Sequence, residues 1–178
     1  MAQIIPPSPW VAAYAGRIPA NGGVLDLACG SGRHSRLLAG LGYAVLAVDR
    51  NVEALAGLGD VAGLGDVAGV ESMVADLEGE TWPLAGRQFA GVVVTNYLWR
   101  PRFGDVLALV QPGGILIYET FMQGNAQYGK PSSPDFLLEP GELRARIAAA
   151  GWHEIAFEEG YTDSPKPAMR QAICAGRW

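Results

Sequence analysis

The sequence predicts a single α/β domain on a seven-stranded, mostly parallel sheet, and three observations predict it. Short apolar runs alternate with helix-patterned segments five times between residues 23 and 151. Such alternation implies right-handed crossovers and parallel neighbours. Two further strand-like runs follow the last helix, close enough in sequence to pair as an antiparallel hairpin closing one edge. The first apolar run also breaks into glycines: "VLDLACGSGRHS", Val24 to Ser35, reads as strand, tight turn and helix. A length of 178 residues fits one domain, 1–178, and 49% hydrophobic residues fill one sizeable core.

Taken in order, residues 9–18 of the N-terminal segment 1–20 form a short helix. "GVLDLA" (23–28) is a continuous apolar strand, as in a sheet buried on both faces. "RHSRLLAGLG" (33–42) sets Leu37, Leu38 and Leu41 on one helical face and ends on Gly42 as a natural cap. "AVLAVD" (44–49) is the second strand, and a helix starts at Asn51. "VESMVAD" (70–76) and "FAGVVVTN" (89–96) are the third and fourth strands, and "RFGDVLALV" (102–110) is a helix. "GGILIYET" (113–120) is the fifth strand. "PGELRARIAAAG" (140–151) opens with proline in its first turn and stops at glycine. "WHEIAFEEGYT" (152–162) and "MRQAICAGR" (169–177) complete the sheet. "GLGDVA" occurs at 57–62 and again at 63–68. Two copies build no solenoid, and the reading is a duplication in a tolerant surface segment.

Composition excludes several classes. Net charge is −5, only Lys130 and Lys166 are lysines, and no basic stripe occurs. Duplex DNA or long RNA is therefore no expected partner, because phosphate neutralisation needs clustered cations. The two cysteines, Cys29 and Cys174, have no C-x-x-C partner, which argues against zinc and against a disulfide framework. "MAQIIPPSPW" lacks the basic and apolar regions of a signal peptide, and no apolar stretch reaches membrane-span length. The expectation is a cytoplasmic protein, monomer or homodimer, with a small-molecule partner.

Which ligand sits on the glycine turn follows from its acids. Gly30, Gly32 and Ser35 fall one residue short of the dinucleotide fingerprint. Asp26 is a carboxylate inside a buried strand, expensive unless partnered. A dinucleotide pyrophosphate needs no acid there, whereas a cationic amino-acid group is favoured by one. Asp49, ending the second strand, suits two ribose hydroxyls in either ligand class. Asp76 can accept from an adenine amine with Leu77 packing on the ring. Arg33 is a candidate for a ligand carboxylate. No second lobe is visible for a nicotinamide enzyme.

"LDLACGSGRHSRLLAGLGYAVLAVDRN", "VADLEGETWPL" and "VQPGGILIYET" together resemble the class I S-adenosylmethionine-dependent methyltransferases over Gly23 to Thr120. Within that superfamily the chain is similar to the small tellurite-resistance-type methyltransferases. The resemblance implies a Rossmann-like three-layer sandwich with an antiparallel last strand and S-adenosyl-L-methionine as cofactor. The cofactor-binding set it implies is Asp26, Ala28, Gly30, Gly32, Arg33, Asp49, Arg50, Asp76, Leu77 and Asn96. Ala28 stands where many members carry the first glycine; as a small residue it is expected to fit and leave binding intact.

The acceptor should lie beyond the carboxyl ends of the strands. The catalytic candidates are Asn96, Tyr97 and Glu119; the substrate candidates are Trp99, Arg100, Arg102 and Tyr128. Each has a plainer role: Asn96 a turn cap, Tyr97 and Trp99 packing, the arginines solvated surface, Glu119 a buried ion pair. Residues 121–138 read as a substrate lid, since so long a connection is usually functional. His34 reads as a helix-surface residue rather than a catalyst, and Cys29 as a small filler. The leading function is methyl transfer from S-adenosylmethionine to a small nucleophile by in-line displacement. The alternatives are a non-catalytic cofactor-binding or regulatory domain and an NAD(P)-binding reductase.

Overall fold

Period-two alternation in the central strands sends side chains to both faces of one sheet. The computed structural model describes residues 5–58 and 67–178. Its strands are β1 (Val24–Leu27), β2 (Val45–Asp49), β3 (Val70–Val74), β4 (Phe89–Thr95), β5 (Val110–Phe121), β6 (His153–Thr162) and β7 (Ala168–Gly176). Its helices are α1 (Pro9–Tyr14), α2 (Arg33–Gly40), α3 (Val52–Ala56), α4 (Phe103–Ala108) and α5 (Glu142–Ala149). The strand order is β3-β2-β1-β4-β5-β7-β6. The first five strands are parallel, and β7 runs antiparallel to both β5 and β6. The expected antiparallel last strand is therefore present, but it inserts beside β5 and leaves β6 at the edge.

Leu25, Leu27, Val92, Val94, Leu116 and Tyr118 face α4 and α5, which bring Phe103, Val106, Leu143 and Ile147. Val24, Val93, Ile115 and Ile117 face the other way, against Val11 of α1 and Leu38 of α2. On that second side α3 lays Leu55 over Ala47 of β2. Helices thus cover both faces, as a parallel sheet requires. Among the described residues no helix is long and apolar enough to cross a membrane.

Local expectations were revised in several places. Leu41 ends outside the buried face at 52% exposure, because α2 stops at Gly40 and Leu41 is its cap. Pro140 precedes the last helix instead of entering its first turn; α5 starts after Gly141, whose φ of +70° a glycine tolerates. β5 starts at Val110 rather than residue 113, with a register shift against β4 between Phe89 and Gly91. Asn51 is the N-cap of α3, its side chain accepting from the N–H groups of Glu53 and Ala54. The duplicated "GLGDVA" falls mostly on residues 59–66, outside the described residues.

Candidate active site

The carboxyl ends of β1, β2, β4 and β5 converge on one rim of the sheet, and the chain turns sharply at the end of β1. Ala28, Gly30 and Gly32 all have positive φ, at +54°, +55° and +79°. Ala28 is small enough for the turn, as its size implies, but its left-handed backbone costs an L-residue about 1–2 kcal/mol. Gly32 is required for space as well: a Cβ there would collide with the Leu58 side chain. The glycines thus bring backbone close to whatever lies on the turn.

Asp26 is wholly buried on the α2 face of β1. Its Oδ2 accepts from the Ser35 hydroxyl at 2.6 Å, while its Oδ1 has no hydrogen-bond partner among the described residues. Burial raises its pKa from 3.8 to about 6, against the pull of the Ser35 hydrogen bond. Ser35, at the third-glycine position of the dinucleotide pattern, is therefore the acid's anchor. A half-satisfied buried carboxylate beside an open turn fits a ligand cation.

Asp49 accepts from the Gly30 N–H at 2.8 Å through Oδ2 and from the Asn51 N–H at 2.9 Å through Oδ1. It fixes the glycine turn and the start of α3 at once. Asp76 is exposed and accepts from the Glu78 N–H, with Leu77 buried beside it. Arg50 is 73% exposed and lies 3.9 Å from Glu78. Arg33 donates to the Pro6 carbonyl at 3.2 Å. Its neighbour His34 is no surface residue. It is 1% exposed, its Nε2 accepts from the Ser8 N–H at 3.0 Å, and its Nδ1 lies 3.3 Å from the Thr95 hydroxyl. These contacts require a neutral ring protonated on Nδ1, and burial together with Arg33 lowers its pKa to about 3. Cys29 is buried and its thiol is pushed up by burial and by Asp26 and Asp49, so it stays protonated as filler.

On the acceptor side the candidate residues separate. Asn96, at φ +54°, takes the turn after β4 and accepts from Arg170 at 2.7 Å. Glu119 is 7% exposed and pairs with the same Arg170 at 3.8 Å. Tyr97 follows with its Oη buried and unpartnered among the described residues. Burial, then Glu78 and Asp76, push that phenol up, so it is a donor and no base. Trp99 is half-buried, and Tyr128 is 41% exposed against Tyr161.

The two arginines do not grip an open site. Arg100 commits all five N–H groups: two to Glu142 and three to the carbonyls of Pro134, Asp135 and Leu137. Burial would raise the Glu142 carboxyl, but hydrogen bonds from Arg100, the Glu139 N–H and Arg146 hold it at about 2. Arg102 donates to Asp105 and to the carbonyls of Gly79 and Glu80.

Residues 122–138 are more structured than a bare connection. They contain 3-10 turns at Asn125–Gln127 and Pro134–Phe136, and a bridge from Met122 to Leu138 pins the ends. Buried Asn125 donates to the Pro131 carbonyl and accepts from the Met169 N–H. Sequence reading missed Asn125, Arg170, and Gln171, which holds Leu143 and Glu139.

The family model described as tellurite resistance protein TehB matches residues 11–163. The chain belongs to the TehB family. No curated protein sequence matches it. TehB from Haemophilus influenzae superimposes with a TM-score of 0.72 at 21% identity, covering 94% of this chain. This chain spans 61% of that protein's length. A S-adenosylmethionine-dependent methyltransferase from Mesorhizobium loti gives 0.65 at 20% identity, covering 93% and 96% of the two chains. The glycopeptide N-methyltransferase MtfA, in complex with S-adenosylhomocysteine, gives 0.65 at 19%, covering 95% and 89%. At such identities the likeness is one of fold. The TehB-family chain has the seven-stranded Rossmann-like methyltransferase fold that its sequence resembles.

Proposed function

We propose that this chain is a S-adenosylmethionine-dependent methyltransferase acting on a small-molecule nucleophile. The observation that carries the reading is Asp26: a wholly buried carboxylate with one unpartnered oxygen, at the head of a turn whose backbone is left open. That oxygen receives the cofactor's ammonium, directly or through one water. Arg33 meets the cofactor carboxylate. Asp49 keeps free lone pairs for the ribose hydroxyls while its N–H contacts hold the turn. Asp76 accepts from the adenine amine over Leu77, with Arg50 and Asn96 at the edges of the same pocket.

The cofactor supplies an already activated methyl group, so the protein contributes mainly position and exclusion of water. Tyr97 borders the acceptor space with its ring. Glu119 holds Arg170, which in turn holds Asn96 at the strand end. Residues 121–138 form the lid over the acceptor, with Tyr128 and Trp99 at its border. Limited chymotrypsin digestion at Tyr128 should slow when S-adenosylhomocysteine is bound; equal rates with and without it would remove the lid.

The function itself is tested by parallel calorimetric titration with S-adenosylmethionine, S-adenosylhomocysteine and NADH. Micromolar binding of the first two and none of the third is expected. Binding of NADH alone would overturn the reading in favour of a reductase. Cofactor binding without turnover on a panel of thiols, amines and oxyanions would support a non-catalytic domain.

A further inference from the structure

The corner that follows β4 is held from several sides. Asn96 takes a left-handed backbone, φ +54°, and its N–H donates to the Glu119 carbonyl at 3.0 Å. The next carbonyl, that of Tyr97, accepts from the buried Tyr118 hydroxyl at 2.6 Å. The Asn96 side-chain Oδ1 accepts from Arg170 at 2.7 Å. Arg170 is itself fixed: its side chain is 18% exposed, pairs with Glu119 at 3.8 Å and lies 4.5 Å over the Phe121 ring. β5 and β7 thus hold both the main chain and the side chain of one rim residue.

The chemistry of Arg170 decides which end of the Asn96 amide is left over. A guanidinium has donors and no acceptor, so the amide oxygen must face it. The reverse orientation would set N–H groups against N–H groups. Nδ2, with its pair of N–H donors, is the end that remains. The one hydrogen bond this side chain makes among the described residues is the one through Oδ1. Asn96 lines a cavity of about 240 Å³ beside the carboxyl ends of β4 and β5, whose other walls include Glu78, Tyr97, Thr120 and Phe121. An asparagine without Arg170 could turn either end of its amide to a ligand; this one can only donate.

We propose that Asn96 donates a hydrogen bond from Nδ2 to the methyl acceptor, and that Arg170 is the positioning residue that fixes the amide in that role. The acceptor then presents a lone-pair-bearing atom to Asn96, and any N–H or O–H it carries is taken by another wall of the cavity. This rests on the methyltransferase reading. The device needs no movement on binding: the left-handed corner, the Glu119 carbonyl and the Arg170 guanidinium hold the donor in place beforehand.

The test reads the Asn96 side-chain amide of the full chain by proton–nitrogen NMR, the signal being assigned by its loss in Asn96→Asp. Two small probes are titrated, with and without S-adenosylhomocysteine: dimethyl sulfoxide, which only accepts hydrogen bonds, and methylammonium, which only donates them. Dimethyl sulfoxide should move the Asn96 amide protons downfield saturably, and methylammonium should not. Arg170→Met lets two amide orientations and the side-chain rotamers compete, so the apparent dissociation constant for dimethyl sulfoxide should rise roughly two- to sixfold. Arg170→Lys, which still donates to Oδ1, should restore it. Asn96→Asp keeps an oxygen for Arg170 and tolerates the left-handed backbone but has no N–H. In that variant the dimethyl sulfoxide response of the Thr120 backbone amide should vanish. No response of the Asn96 amide to dimethyl sulfoxide in the unaltered protein, or an equal response to methylammonium, would overturn the donor assignment. An unchanged response in Arg170→Met, or a loss as large in Arg170→Lys, would overturn the positioning role. Failure of S-adenosylhomocysteine to bind would remove the methyltransferase reading, while the titration without it still decides whether Asn96 donates.

Discussion

The two halves of the rim are built on opposite plans. Under the turn after β1, backbone conformation does the positioning, and acids are left partly unsatisfied: Asp26 keeps an idle oxygen and Asp49 binds only N–H groups. Beyond β4 and β5 the charges cancel one another. Arg100 closes on Glu142 and Arg170 on Glu119, and the cavity beside these strand ends is lined by Tyr97, Phe121 and Phe136 together with the polar Glu78, Asn96 and Thr120. The first half leaves its acids partly unsatisfied, and the second pairs its arginines and acids with one another.

If the halves are independent, substitutions should move one and leave the other. The largest effect expected is from Arg100→Ala, which removes five hydrogen bonds and releases the loop while Arg146 and the Glu139 N–H still hold Glu142. It should cost about 3 kcal/mol in urea unfolding, the upper value for hydrogen bonds to a charged group, with S-adenosylhomocysteine affinity unchanged in the folded protein. A matching loss of cofactor affinity would break the division.

Asp26→Asn comes next and acts through pH. The folded pKa of Asp26 is raised, so its protonated form is the one the fold favours. Its contribution is intact below about pH 4 and lost as pH rises through about 6. The variant should therefore gain about 2–3 kcal/mol over the unaltered protein at pH 7.5 and almost nothing at pH 4. His34 works the other way, its stability contribution lost as pH falls from 6.5 toward about 3. It is common to both proteins and cancels in the difference. A pH-independent difference would contradict the buried-acid account. The same variant should weaken S-adenosylmethionine binding, since the acid facing its ammonium is gone.

Asp49→Ala should weaken S-adenosylmethionine binding by about 2 kcal/mol, the value of hydrogen bonds to a charged group. Calorimetric titration giving unchanged affinity would mean the ribose is held elsewhere. Ala28→Gly is the smallest effect. Relief of left-handed strain outweighs the added backbone freedom, for a gain below about 1 kcal/mol visible as a raised Tm. A lowered Tm would mean the alanine methyl packs usefully against the core.

Much of the cofactor half was legible because its signals are local. Nine consecutive residues carry strand end, turn and helix start, from Leu27 to Ser35. The parallel strands were legible because burial on both faces writes apolar runs into them. The insertion of β7 beside β5 was not, since strand order inside a hairpin is decided by tertiary packing. Nor was the fate of Arg100, whose partner Glu142 lies 42 residues away, or of Asn96, whose partner Arg170 lies 74 away. His34 misled for a related reason. Its helix position is ordinary, and only Ser8 and Thr95, brought in from distant segments, make it interior.

The five bonds of Arg100 also have a mechanical consequence. They rivet the carbonyls of Pro134, Asp135 and Leu137 to the first turn of α5. At the opposite end, Asn125 is tied to β7 through Met169. Between these fasteners the exposed run 126–130 is held more lightly, by the Asn125 carbonyl and by Tyr128 against Tyr161. Any opening over the cavity is then the swing of a short tongue, with Phe136 as a fixed doorpost and not part of the door. A molecule enters past the tongue or waits for the rivet to fail, and the second route unfolds the start of α5 along with it.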